Sequence, residues 1–242
     1  MSKTEVITRK EMKGPDKFQV AAGQAAGWAK THEKQIVGGV VAALVVAGVV
    51  LGIGQYLRAQ ELKAGALLYR ALDAADGEIS SVPLPGVQKP LFKSEAERQQ
   101  AVLAAADEVR KQYPSSEAAR TAALLAADAQ LRLGKVDQAI SSYQAWLGGA
   151  TQGDSLRFAA LEGLASAHEA KNDLDAAAKD YDQLGREVAF YKDRAALERA
   201  RVLVKAGKAD EAKKVLSTFA DDFKESPLKT EAQERLARLG GK

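Results

Sequence analysis

Residues 36–54, IVGGVVAALVVAGVVLGIG, carry no charge, and the uncharged run extends from Gln35 to Leu57. No other stretch limits the chain as much. At about 1.5 Å per residue, a helix of this length crosses the roughly 30 Å hydrocarbon core of a bilayer. In that medium only a helix or a closed barrel satisfies every backbone group internally. A buried helix of a soluble domain is the alternative, but such a helix rarely runs this long without a polar stripe. The run is longer than the usual leader segment of about 7–15 residues, and its leading region of about 35 residues is too long for a leader. The nearest small-residue cleavage pattern, Ala64-Gly65-Ala66, lies well past it. The stretch therefore reads as an uncleaved membrane helix over 36–56. It divides a basic tail (1–35) from a membrane-proximal helix with a Pro-rich linker (57–93) and a main domain (94–242).

Charge placement sharpens this division. Residues 1–35 hold seven Lys/Arg (Lys3, Arg9, Lys10, Lys13, Lys17, Lys30, Lys34) against four acids (Glu5, Glu11, Asp16, Glu33), which accounts for the whole net charge of +3. The remainder is balanced. It lacks the concentrated basic face that nucleic acid requires, so no nucleic-acid partner is expected. The positive charges closest to the run tie, with Lys17, Lys30 and Lys34 before it and Arg58, Lys63 and Arg70 after it. The fuller tail count and the ease with which long C-terminal domains translocate favour a cytoplasmic N-terminus and a C-terminal domain outside. A domain facing the cytoplasm is the alternative. Residues 16–34 place Phe18, Ala21, Ala22, Ala25, Trp28 and Ala29 on one side of a helix, which reads either as an interfacial helix or as a plain polar tail. Within the span, Gly39, Ala43 and Ala47 recur every four residues and Gly48 and Gly52 form a GxxxG. Such faces allow close packing of membrane helices and hence homo-oligomerisation.

Beyond the span the chain is rich in strong helix formers, and an all-α domain follows. A helix over 57–76 puts Leu62, Ala66, Tyr69 and Leu72 on one side and ends at Gly77. Pro83, Pro85 and Pro90 make 80–92 a linker or surface loop. Helices are predicted over 94–113, 116–133, 136–147, 155–170, 173–184, 191–206, 209–223 and about 227–239. Ser94 and Glu97 form a capping-box pattern and Pro114 stops the first of these. The short connections imply antiparallel hairpins.

The turns repeat. Gly134, Asn172 and Gly207 are 38 and 35 residues apart, and each can take the left-handed conformation that ends a helix. Five residues after each stands Ala139, Ala177 or Ala212; seven before stands Ala127, Ala165 or Ala200. Nine residues after come Tyr143, Tyr181 and Leu216, and twelve after come Trp146, Leu184 and Phe219. Small residues at fixed points let paired helices cross closely, and the bulky ones fill the space against the next hairpin.

This pattern resembles the tetratricopeptide repeat, a helix–turn–helix of about 34 residues. The similarity covers 117–223, with 94–114 and 228–239 as flanking half-units. Ala123, Ala126 and Gln130 stand where the family favours larger side chains, and Arg199 takes an expected apolar place. The order of parts resembles the ancillary subunit family of the SecYEG translocon (YfgM-like). The similar parts are residues 28–34, the span, the Ala66-Leu67-Leu68-Tyr69 helix and the repeats. That resemblance implies a bacterial inner-membrane location, a periplasmic domain, and the SecYEG channel and periplasmic chaperones as partners. The repeats are also similar to those of outer-membrane assembly lipoproteins. Those carry a lipidated cysteine, and this chain has no cysteine.

Little in the sequence points to catalysis. There are two histidines, His32 in the tail and His168 four residues before a turn, where a packed or hydrogen-bonded role is expected. No metal-ligand spacing, phosphate loop or GxSxG is present, so no enzyme activity and no cofactor are expected. Stacked repeats form a concave surface lined by their first helices. The family's groove positions fall on Asp128, Arg132, Glu162, Ser166, Glu169, Arg194, Arg201 and Lys205. No Lys/Arg/Asn cluster of the carboxylate-clamp kind stands among them. The lead expectation is a membrane-tethered protein-interaction module; the alternative is a homo-oligomeric envelope scaffold.

Overall fold

The computed structural model describes residues 17–80, 82, 86 and 89–240. The expectations for the charges before Lys17 and for Pro83 and Pro85 lie outside the described residues. The chain divides into two compact units, Met1–Arg58 and Ala59–Lys242.

In the first unit, helix α1 (Lys17–Thr31) is followed by α2, which runs unbroken over Glu33–Ala75 and continues into the second unit. Residues 36–54 lie wholly within α2. Its most apolar stretch has a mean hydropathy of 2.8 and is not buried among the described residues. Val40, Val41, Val45, Val46, Val49 and Val50 each expose more than half their surface and lie on all sides of the helix, so the apolar character is continuous around it.

The second unit is a row of helical hairpins. Residues 59–75 of α2 pack with α3 (Glu95–Gln112) and α4 (Glu117–Arg132) through an alanine-rich cluster that includes Ala64, Ala71, Ala106, Ala119 and Val109. The sequence placed a domain boundary between 93 and 94, whereas one compact unit begins at Ala59. The physical reason is the inverted face of this helix segment. Ala64, Ala71 and Ala74 are buried, while Leu62, Tyr69 and Leu72, the larger side chains that mark amphipathicity in the sequence, are exposed.

Between these helices, β1 (Glu78–Ile79) pairs in parallel with β2 (Leu91–Phe92), an element not expected from the sequence. Gly77 is required there by close approach. A Cβ at this position would lie 2.4 Å from the Phe92 ring and 2.9 Å from the Pro90 carbonyl. Arg98 of α3 donates to the Gly77 carbonyl at 3.0 Å and holds the loop to the helix. Ser94 caps α3 by accepting from the Glu97 amide at 3.2 Å, and the Glu97 carboxylate accepts from the Lys93 amide at 2.8 Å. This is the capping box displaced by one residue.

Helices α5 (Val136–Gly149), α6 (Arg157–Ala170), α7 (Leu174–Glu187), α8 (Lys192–Lys205), α9 (Ala209–Asp222) and α10 (Lys229–Gly240) follow, with a 3-10 turn over Ala189–Tyr191. Each packs on the next, and α4 also touches α6. Gly148 and Gly149 continue α5 instead of closing it, because a β-region cap at Ala150 ends the helix.

The three repeat turns share one geometry. Gly134, Asn172 and Gly207 have φ of 74°, 62° and 77°. In each, the next amide donates to the carbonyl five residues back: Lys135 to Gln130, Asp173 to His168 and Lys208 to Leu203, at 2.9, 2.8 and 2.9 Å. These are Schellman closures, which satisfy carbonyls left open at a helix end. The repeat alanines at 127, 139, 165, 177, 200 and 212 are all buried, and so are Tyr143, Tyr181, Leu216, Trp146, Leu184 and Phe219. The sequence register is the packing register.

Candidate functional site

The first helices of successive hairpins, α4, α6 and α8, carry all eight expected groove residues. They do not stand as free side chains; most are tied to one another or to a neighbouring turn. Asp128 and Arg132 pair on α4 at 2.7 Å. On α6, Glu169 receives both guanidinium amines of Arg201 from α8 at 2.6 and 2.8 Å, and Lys205 stands 4.0 Å away. Arg201 also pairs with Glu198 at 2.6 Å, and Arg194 reaches the same carboxylate at 3.3 Å. Burial pushes the Glu169 carboxyl up, but the Arg201 guanidinium outweighs it and holds the group below its ordinary value. The same carboxylate accepts from Tyr181 at 3.3 Å, and the phenol, faced also by Ser166, is pushed up to about 12, chiefly by burial.

Glu162 differs. It accepts from the Tyr191 hydroxyl at 2.5 Å and forms no ion pair among the described residues. Burial and the adjacent carboxylate both push the Tyr191 phenol up, so it remains a donor. The Tyr191 ring stands 6.2 Å from both Phe158 and Phe190, and those two rings meet edge-on at 5.6 Å. Phe190 is 73% exposed.

Between α4 and α6 lies a cavity of about 420 Å³. Leu124, Leu125, Leu131, Tyr143, Leu156 and Ala159 make its apolar walls, and Asp128, Glu162 and Ser166 its polar rim. Gly163 is part of the wall because the Tyr143 ring lies against its backbone; a Cβ there would stand 2.3 Å from Cζ.

The His168 Nδ1 and an Asp180 carboxyl oxygen of α7 share a hydrogen bond at 2.5 Å, both side chains being largely buried. Burial raises the Asp180 carboxyl above its ordinary value although His168 opposes this. The pair joins the two helices of one hairpin. Among the described residues, no three His, Asp or Glu side chains are grouped to hold a metal ion.

The span residues Gly39, Ala43, Ala47, Gly48 and Gly52 all lie exposed on α2, and a Cβ added at Gly39, Gly48 or Gly52 would meet nothing within 4 Å. Three participants escaped the sequence reading. Phe190 and Tyr191 lie in the irregular turn between two hairpins, and Arg157 opens α6. Arg157 is 7% exposed, pairs with Glu187 at 2.6 Å and donates to the carbonyls of Leu147 and Ala150.

A row of antiparallel hairpins with small residues at fixed crossings defines a helical-repeat scaffold, a class that presents surfaces to other proteins. The sequence matches the tetratricopeptide repeat-like domain family over residues 27–188, more than half of the chain, and the protein belongs to that family. No curated protein matches the sequence. Among solved structures, a tetratricopeptide repeat protein from Parabacteroides merdae ATCC 43184 is similar with a TM-score of 0.54 at 16% identity. The match covers 74% of this chain and 60% of that one, so this chain spans less than two thirds of that protein's length. The TPR-like repeats of a Podosopora anserina protein assigned as a kinesin light chain are similar with a TM-score of 0.50 at 18% identity, covering 59% of this chain and 77% of that one. At these identities the likeness is one of fold. The protein carries a tetratricopeptide-like domain of helical hairpins, a fold that typically serves as a non-enzymatic scaffold for protein interaction.

Proposed function

We propose that this protein is a membrane-tethered interaction module. Its α2 crosses the bacterial inner membrane with the N-terminus in the cytoplasm, and its hairpin unit binds proteins on the periplasmic side. The observation that carries the reading is the stretch within α2 that is apolar and exposed all round. A helix of that kind needs an apolar surrounding, and lipid supplies it. The family match begins at residue 27, so this helix belongs to the matched region and is not an addition to it. Fixing a binding unit to the membrane raises its effective concentration beside other membrane proteins. The resemblance in layout to the ancillary translocon subunits supports the SecYEG channel and periplasmic chaperones as its partners. The α4–α6–α8 face, with Asp128, Glu162, Glu169 and Arg201, is the surface through which it acts.

Crosslinking in intact membranes followed by pull-down tests this. Recovery of translocon subunits or periplasmic chaperones is expected. Recovery of self-contacts alone supports the second reading, a homo-oligomeric envelope scaffold, which the open Gly39 and Gly48/Gly52 faces favour.

A further inference from the structure

We infer that the groove between α4 and α6 receives a segment of a partner polypeptide in which an arginine or lysine stands next to a large aliphatic residue. This rests on the reading of the α4–α6–α8 face as the interaction surface and adds the chemistry of the occupant.

Two features set that chemistry. The cavity walls are aliphatic and aromatic, and about 420 Å³ is room for side chains. The charge available at its rim is negative. Every basic groove residue already faces a carboxylate: Arg132 faces Asp128, Arg194 faces Glu198, Arg201 faces Glu169 and Glu198, and Lys205 stands near Glu169. Glu162 alone among the groove carboxylates has no cationic partner within the described residues. It is held in place by a neutral donor, the Tyr191 hydroxyl. An acidic segment would meet cations already engaged and an uncompensated carboxylate, and would be disfavoured.

The aromatic edge completes a cation site. Phe158 lies one turn before Glu162 on α6, and Tyr191 contacts both through its ring and its hydroxyl. The exposed Phe190 ring stands against Phe158 and Tyr191. A guanidinium paired with the Glu162 carboxylate lies beside these rings, where a cation gains from the ring quadrupole. The neighbouring aliphatic residue then enters the cavity beside Leu124 and Ala159.

Fluorescence anisotropy of the full chain in non-ionic detergent tests this, with a fluorescein-labelled eight-residue peptide of alternating Arg and Leu as probe. Comparison peptides carry Glu for Arg, or Ser for Leu. Binding of the Arg/Leu probe is expected to exceed that of both. It should weaken about fivefold in Glu162→Gln and in Phe190→Ala, as for loss of one partly exposed charge or cation–π contact. Phe190 is largely exposed, so its replacement leaves folding intact, and an unchanged thermal midpoint verifies this. Equal or tighter binding of the Glu/Leu peptide, or affinity unchanged by both variants, overturns the inference. If translocon partners are recovered by crosslinking while the Arg/Leu probe fails, this inference falls and the translocon reading stands. If the probe binds as expected while crosslinking yields only self-contacts, this inference stands and the translocon reading falls.

Discussion

At position 163 an added methyl group would lie 2.3 Å from Cζ of Tyr143, and Tyr143 is itself buried between hairpins. Gly163→Ala therefore forces the buried Tyr143 ring to shift, and urea unfolding should show a loss of about 1–3 kcal/mol. In a Tyr143→Leu background the same change should cost less, because the colliding ring atoms are gone. Arg157→Met removes the cationic partner of Glu187, leaving it only the Gln183 amide, and takes one donor from each of two carbonyls, with an expected loss of about 2–4 kcal/mol in the same measurement. Glu169 gives a pH signature. Its folded carboxyl lies below the ordinary 4.5, so the unfolded chain binds more protons in that range. The stabilisation is complete above about pH 4.5 and is lost as pH falls through the lower folded value. The thermal midpoint of the wild type should fall more steeply between about pH 6 and pH 3 than that of Glu169→Gln. Little of this is visible in a linear sequence. Gly163 and Arg157 matter through residues on other helices, and neither stands in a local pattern that predicts those partners.

Elements were more legible, and the difference has a cause. A turn needing φ above zero writes itself into the sequence as Gly or Asn, so Gly134, Asn172 and Gly207 could be aligned and the buried alanines and aromatics then fell into register. The packing of residues 59–75 on α3 left no such mark, because its buried face is alanine, flanked by half-buried Leu67 and Leu68, while Leu62, Tyr69 and Leu72 are exposed. Two-residue strands are likewise too short to carry a periodicity. One polar contact fastens this first hairpin to the next. The Glu61 carboxylate accepts from the amides of Glu117 and Ala118 at 3.2 and 3.0 Å, at the N-terminus of α4. It supplements Ser116, whose hydroxyl accepts from Ala119 at 3.0 Å. Glu61→Ala should cost about 1 kcal/mol, as for loss of an N-cap. Hydrogen exchange should quicken at Glu117 and Ala118 more than at amides of α8. The expected groove residues lie on first helices, but their interactions left no mark in the sequence. The pairing of Glu169 with Arg201 joins different repeats, and the aromatic edge at Phe190 lies between repeats, where the alignment has no column.

At the scale of the whole molecule, the proposed role depends on which side of a membrane the hairpin unit occupies. The nearest flanking charges tie, so the proposed orientation rests on the longer basic tail. The absence of cysteine from the sequence makes the orientation directly measurable. Ser217, exposed on α9, and Ser2, in the tail, can each be replaced by cysteine to give a single thiol. Cells with an opened outer envelope are treated with a membrane-impermeant maleimide, and labelling is compared before and after lysis. The account predicts that Ser217→Cys is labelled before lysis and that Ser2→Cys is labelled only after it. Labelling of Ser2→Cys alone before lysis, or of neither position until lysis, would contradict it.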